Sequence, residues 1–195
     1  MIVSAIEELD RLAEFLNASL DVAEARADAL RLTRSEIDLD EIMRVMIDLY
    51  EPCMSERGLR MQLRSGGAVR VIADAALLHR AVANLLDNEL KHLPASCTVV
   101  ICVQREHDEA VLIVEDDGPG FAAEVKDAVF EQGVKGRESS GHGLGLAFVE
   151  AVARAHGGTV TASNRPDGGA RLVITLPGAP ESEEQRGQTV AAVAG

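Results

Sequence analysis

The chain has 195 residues, 47% of them hydrophobic but only 3% aromatic with no Trp, so one ordinary domain plus an appendage must be packed from Leu, Val, Ile and Ala. A formal net charge of -13 argues against a general nucleic-acid or membrane-surface binder, whose footprint is basic. Cys53, Cys97 and Cys102 form an odd set without ligand spacing, and the sequence shows neither a signal peptide nor an apolar run of transmembrane length, so a reduced, cytoplasmic setting is expected.

Residues 4–32 carry a helical seam in which Ile6, Leu9, Ala13, Leu16, Leu20, Ala23, Ala27 and Leu30 recur at alternating steps of three and four. One helix cannot bury such a seam alone, which predicts a homodimer through residues 4–32. A second amphipathic helix follows Ile37-Asp38-Leu39, with Ile42, Val45, Met46 and Leu49 inward, Pro52 inside it and Gly58 at its end. Residues 59–63 and 69–72 flank Ser65-Gly66-Gly67 and read as a hairpin. Asp74 caps a helix to about Leu90, and 98–103 and 110–114 alternate as strands. A helix over 144–155 and strands at 159–163 and 170–176 complete a domain spanning 36–177. The residues beyond, 178–195, are polar and small and read as a flexible tail. The pattern predicts an α+β fold, a two-layer α/β sandwich whose mixed sheet carries helices on one face, preceded by the long dimerisation helix of residues 1–35.

Two glycine clusters bracket a polar loop in the centre of the chain. The first, Gly118 and Gly120, follows an apolar strand ending in Glu115-Asp116-Asp117; the second, Gly141-His142-Gly143-Leu144-Gly145, opens a helix. Free amides and the dipole at a helix N-terminus favour phosphate, and a carboxylate such as Asp116 accepts from the exocyclic amine of adenine. Asn84, Asn88 and Lys91 share one face of the capped helix. A carboxamide oxygen suits Mg²⁺, which takes few protein ligands beside phosphates, and Lys91 adds positive charge. Within the loop, Lys135 and Arg137 are the cations placed to touch a terminal phosphate. Together these features imply ATP and Mg²⁺.

The motifs occur in a familiar order. NLLDNELKH (84–92), VEDDGPGF (114–121), VFEQGVKG (129–136), GHGLGLAFV (141–149) and the closing HGGTVTASNRPDGGARLVITLP (156–177) resemble the N, G1, F and G2 boxes and final strands of the catalytic ATP-binding domain of sensor histidine kinases, within the GHKL superfamily. The resemblance implies a mainly antiparallel sheet with three helices. It makes Asn88 the magnesium ligand, sets Asn84 and Lys91 near the phosphates and Asp116 on the adenine amine, and gives a lid over 117–140 anchored by Phe130. It also implies transfer of the γ-phosphoryl group to a histidine and relay to the receiver domain of a response regulator. Residues 1–32 look like the second helix of the family's dimerisation and phosphoacceptor hairpin.

Three departures stand out. No phosphoacceptor box accompanies the five histidines, so the first hairpin helix, like any membrane anchor, is expected in a longer parent protein, and this chain is not expected to phosphorylate itself. Glu89 replaces a small residue beside Asn88, adding negative charge near the proposed metal. Gln132 stands where the F box often has a cation. The related ATPases activate water with a Glu at the position of Asn84, which cannot act as a base here, so hydrolysis is expected to be slow. An anti-sigma-type serine kinase shares the fold but not the dimerisation helix, and a degenerate scaffold that docks a response regulator is the alternative from another class.

Overall fold

A computed structural model of the chain describes residue 23 and residues 32–125, 128–131, 133 and 143–180. The seam of residues 4–32 therefore lies, apart from Ala23 and Leu32, outside the described residues. Strand β1 (Ser35–Asp38) runs into helix α1 (Leu39–Glu56), followed by β2 (Arg60–Ser65), β3 (Arg70–Ala73) and helix α2 (Ala75–His92). Next come β4 (Thr98–Glu106), β5 (Glu109–Asp116), helix α3 (Gly145–Ala155), β6 (Thr159–Asn164) and β7 (Ala170–Pro177). Five strands form one sheet in the order β2-β4-β5-β7-β6, and β1 and β3 form a separate antiparallel pair.

Within the larger sheet only β2 and β4 run parallel. Alternation sets its inner face, where Ile101 pairs with Val114 and Val103 with Leu112, while Leu112 and Val114 pair onward with Ile174 and Leu172. These residues share one core with Leu85 and Leu86 of α2 and Phe148, Val149 and Val152 of α3, so the helices cover one face of the sheet. The expected α+β sandwich is the observed architecture.

The hairpin expected across Ser65-Gly66-Gly67 does not form. β2 lies parallel along β4, with Met61 opposite Val99 and Leu63 opposite Ile101, whereas β3 pairs with β1. Alternation tells which face of a strand is buried but not which strand lies beside it. Here the β1–α1 corner decides: Asp38 Oδ1 accepts from Val69 N at 3.0 Å and Leu39 N donates to Val69 O at 2.9 Å, drawing the start of β3 away from β2.

Helix α1 buries Ile42 and Met46 as expected, but not the other two residues expected inside. Asp38 caps it through Asp40 N, at 3.0 Å. The buried stripe is Leu39, Ile42, Met43, Met46 and Met54, while Val45 and Leu49, expected inside, are 52% and 65% exposed. The helix continues through Pro52 to Glu56, and Gly58, at φ +73°, follows the Arg57 cap.

The ordered chain continues past β7: Gly178 bridges to Val71, and Ala179 N donates to Arg70 O at 2.8 Å. Among the described residues no helix is long and apolar enough to cross a membrane.

Candidate functional site

Three contacts show that α2 and α3 run antiparallel. At one end, Asp74 N donates to His156 Nε2 at 2.9 Å, which leaves Nδ1 to donate to Val152 O at 2.8 Å. In the middle, the Arg80 guanidinium lies 4.6 Å from the centroid of the Phe148 ring. At the far end a Cβ on Gly145 would stand 3.1 Å from Asn84 Oδ1. The N-terminus of α3 therefore abuts α2 at Asn84 and points toward the turn that carries Asn88 and Lys91. Asn84 is held in place by its own helix, Nδ2 donating to Arg80 O at 3.0 Å, so its carboxamide oxygen is the atom turned to α3. Leu144 at the N-cap supplies no capping side chain, and among the described residues no side chain caps the first-turn amides of α3, a setting that suits an anion.

The end of β5 forms the second part. Asp116 is 3% exposed. Its Oδ1 accepts from Gly118 N at 2.7 Å and its Oδ2 from Ala170 N at 3.0 Å. Arg165 donates to the Asp116 carbonyl at 2.6 Å. Burial pushes the Asp116 carboxyl above its ordinary range, the Gly118 and Ala170 amides pull it back, and the Asp117 charge adds to the rise. Two amide donors leave further lone pairs on both oxygens, so the side chain is a fixed acceptor with capacity for one more donor.

The backbone around Asp116 is packed too tightly for side chains. A Cβ on Gly118 would fall 2.4 Å from Leu93 Cδ2 and 2.9 Å from Asp116 Oδ1. Gly169, at φ +92°, would place one 2.0 Å from the Asp116 carbonyl oxygen. Asn164 closes the first glycine cluster by a pair of bonds, accepting from Phe121 N at 2.7 Å and donating to Phe121 O at 2.9 Å. The β6–β7 turn is thus a clamp on the end of β5. Sequence reading passed over Asn164, Arg165, Gly169 and Ala170, although the doublet Gly168-Gly169 was a signal of unusual backbone.

Glu89 occupies a place the sequence did not reveal. It is 6% exposed, on the side of α2 facing the end of β5, and burial with the Asp116 charge pushes its carboxyl up to about 8. Cys97 lies in the same wall; burial raises its thiol, with the charges of Asp117, Asp116 and Glu89 adding to the effect. Leu93, whose N–H donates to Glu89 O at 3.0 Å, completes it.

The structure brings Asn84, Leu144 and Gly145 together at one helix junction and Asp116, Gly118 and Gly120 together at another, with Asn88 and Glu89 between. Asn88 is half-buried and Lys91 exposed on α2. Phe130 packs partly buried against the core, and Gly133 N donates to Gly143 O at 3.1 Å, joining the two ends of the loop. Lys135, Arg137 and Gly141, together with Gln132, lie outside the described residues. Among the described residues no group of three His, Cys, Asp or Glu side chains is placed to hold a metal. A metal here would need to accept a carboxamide oxygen and take its remaining ligands from phosphate and water, which fits Mg²⁺ and Asn88.

Residues 73–180 match the family profile described as histidine kinase-, DNA gyrase B-, and HSP90-like ATPase. Sensor protein KdpD of Escherichia coli (strain K12) is 33% identical over 174 residues; the match covers 87% of this chain but 19% of that protein, so the chain spans about a fifth of its length. The solved structure of full-length ShkA in complex with AMPPNP superposes with a TM-score of 0.81 at 26% identity, covering 93% of this chain and 39% of that one. The histidine kinase ThkA, solved in complex with response regulator protein TrrA, gives a TM-score of 0.68 at 20% identity, over 88% of this chain and 50% of that one.

Proposed function

Since the chain belongs to the family of histidine kinase-, DNA gyrase B- and HSP90-like ATPases, with the catalytic ATP-binding domain of a sensor histidine kinase at its centre, we propose that it binds ATP with Mg²⁺ and transfers the γ-phosphoryl group to a histidine on a separate helical segment. A response-regulator aspartate then receives the group. The observation that carries this proposal is the α2–α3 junction, where Asn84 Oδ1 meets Gly145 and the uncapped amides of α3 face the turn of Asn88 and Lys91.

In this reading Asp116 accepts from the adenine amine, and the amides near Gly143 and Gly145 hold phosphate oxygens. Lys91 balances their charge, and Asn88 offers its carboxamide oxygen to Mg²⁺. Bound Mg²⁺ neutralises phosphate charge, which lowers the cost of transfer. Lys135 and Arg137 act on the terminal phosphate from the lid that Phe130 anchors. Asn84 has no proton-accepting group for water, so nucleotide persists until an acceptor histidine arrives. Residues 4–32 pair two copies through their heptad seam, and 1–35, 36–177 and 178–195 are the dimerisation, catalytic and tail segments.

Calorimetric titration with a non-hydrolysable ATP analogue, with and without Mg²⁺, tests the proposal. Micromolar, Mg²⁺-dependent binding is the expected result. Absence of binding in both conditions overturns it in favour of a dimerising scaffold.

A further inference from the structure

The chain that leaves β5 is held at two points by residues that are neighbours in sequence. Asn164, the last residue of β6, lies in register with Ala170 of β7. Its carboxamide carries an acceptor and a donor side by side, and both are used on one residue: Oδ1 accepts from Phe121 N at 2.7 Å and Nδ2 donates to Phe121 O at 2.9 Å. Arg165, next in the chain, donates from Nη1 to Asp116 O at 2.6 Å. Residues 116–121 are therefore pinned at one end by Arg165 and at the other by Asn164. The turn that carries the pins closes without them, through Arg165 N to Gly169 O at 2.9 Å and Gly168 N to Arg165 O at 3.2 Å. Asn164 is exposed and Arg165 half-buried, so neither side chain fills the core.

The pinned stretch needs such support. Asp117, beside the first pin, accepts from Thr98 N at 2.6 Å. Beyond it come Gly118, Pro119 and Gly120, and two glycines give a short segment many alternative shapes. Gly120 sits at φ +73°, where a Cβ would stand 2.8 Å from Asn164 Oδ1, so its bare backbone admits the carboxamide. Gly118 N, within the stretch, supplies the 2.7 Å bond to Asp116 Oδ1, while Ala170 N, at the exit of the turn, supplies the 3.0 Å bond to Oδ2. The direction of the Asp116 carboxylate thus depends on the shape of 116–121, and that shape depends on the two side chains of the turn. A hydrogen bond weakens steeply as its angle departs from linear, so the aim of this acceptor sets what a donor gains from it.

We propose that Asn164 and Arg165 are positioning residues for base recognition: acting through Phe121 and the Asp116 carbonyl, they fix the Asp116 carboxylate in the direction from which the exocyclic amine of adenine donates. The assignment rests on the reading of this site as an ATP site and adds to it the element that sets its selectivity for the base.

Calorimetry on the whole chain with two probes tests it: ADP, and the diphosphate of purine riboside, which lacks the exocyclic amine. Wild type should prefer ADP by about tenfold, the worth of one hydrogen bond to a buried carboxylate. Asn164→Ala and Arg165→Met should each narrow that preference to about threefold or less. Affinity for the analogue should stay within about threefold of wild type, because it never makes the amine bond. A merely structural role for either side chain would weaken both probes by one common factor and leave their ratio unchanged. A wild-type ratio in either variant therefore overturns the assignment, even where affinity falls. Wild type that binds both probes equally overturns it as well, while ADP binding stands; only failure of wild type to bind either probe removes the nucleotide site and this assignment together.

Discussion

Replacing Glu89 by Gln should flatten the dependence of folding stability on pH, and the sign follows from where the proton is held. A glutamate in the unfolded chain titrates near 4.5, whereas burial and the Asp116 charge push Glu89 up to about 8 in the fold. Below the lower value both states hold the proton. Between the two the folded state retains a proton that the unfolded chain releases, so stability falls as pH rises; above about 8 both states are ionised and the loss is complete. The interval between those values corresponds to about 5 kcal/mol at 1.36 kcal/mol per pKa unit, an upper bound because water can enter beside α2 once the group ionises. A loss of about 2 to 5 kcal/mol is a large part of what holds a domain together. Asp74, held below the usual range by backbone N–H groups in spite of its burial, pulls the other way, but that contribution is common to both proteins and cancels in their difference. Urea unfolding followed by circular dichroism, from about pH 5 to about pH 9, measures it. Glu89→Gln should match wild type or fall slightly below it at the acid end, then gain on it steadily until about pH 8. Parallel profiles would refute both the burial of Glu89 and its coupling to Asp116.

Four further substitutions follow from the same geometry. Asp116→Asn turns an amide NH₂ toward either Gly118 N or Ala170 N and should cost about 1–3 kcal/mol in urea unfolding; it should also narrow the preference for ATP over GTP, and unchanged selectivity would remove Asp116 from the base contact. Gly169→Ala drives a methyl to 2.0 Å from the Asp116 carbonyl oxygen at φ +92°, so its melting temperature should drop by the equivalent of about 2 kcal/mol or more. Gly66→Ala, with nothing within 4 Å, should stay within about 0.5 kcal/mol of wild type, and equal effects of the two alanines would refute the clamp. Asn88→Ala should abolish the Mg²⁺-dependent part of ATP binding with the unfolding midpoint unchanged, and retention of that increment in calorimetry would exclude Asn88 as a ligand.

What the sequence made legible was local. Asp74 announces α2 because a cap needs only its own side chain and an amide three residues on, and the bond to Leu77 N at 3.2 Å is that interaction. The strands β4 and β5 were readable because alternation and a short polar turn are features of one stretch of chain. The hairpin expected between β2 and β3 failed because partner choice is not local: it was settled by the grip of Asp38 on Val69 and by the open edge of β4. The same division runs through the site. That Asn84 and Asn88 share a face follows from the helical period, and that Glu89 lies about 100° around from Asn88 follows equally. Neither angle says what stands opposite. Tertiary packing puts the N-terminus of α3 against one and the end of β5 toward the other, so the residue that looked like an intruding charge beside a metal is found buried, within reach of the Asp116 charge. The residues between the last two strands gave no sign of a role in the site, because their work is done on a carbonyl 53 residues earlier in the chain, where Gly169 admits Asp116. An ordered set of motifs therefore identifies the chemistry, while the bonds that make Asp116 an acceptor and the burial of Glu89 exist only once α2, β5 and the β6–β7 turn have closed on one another.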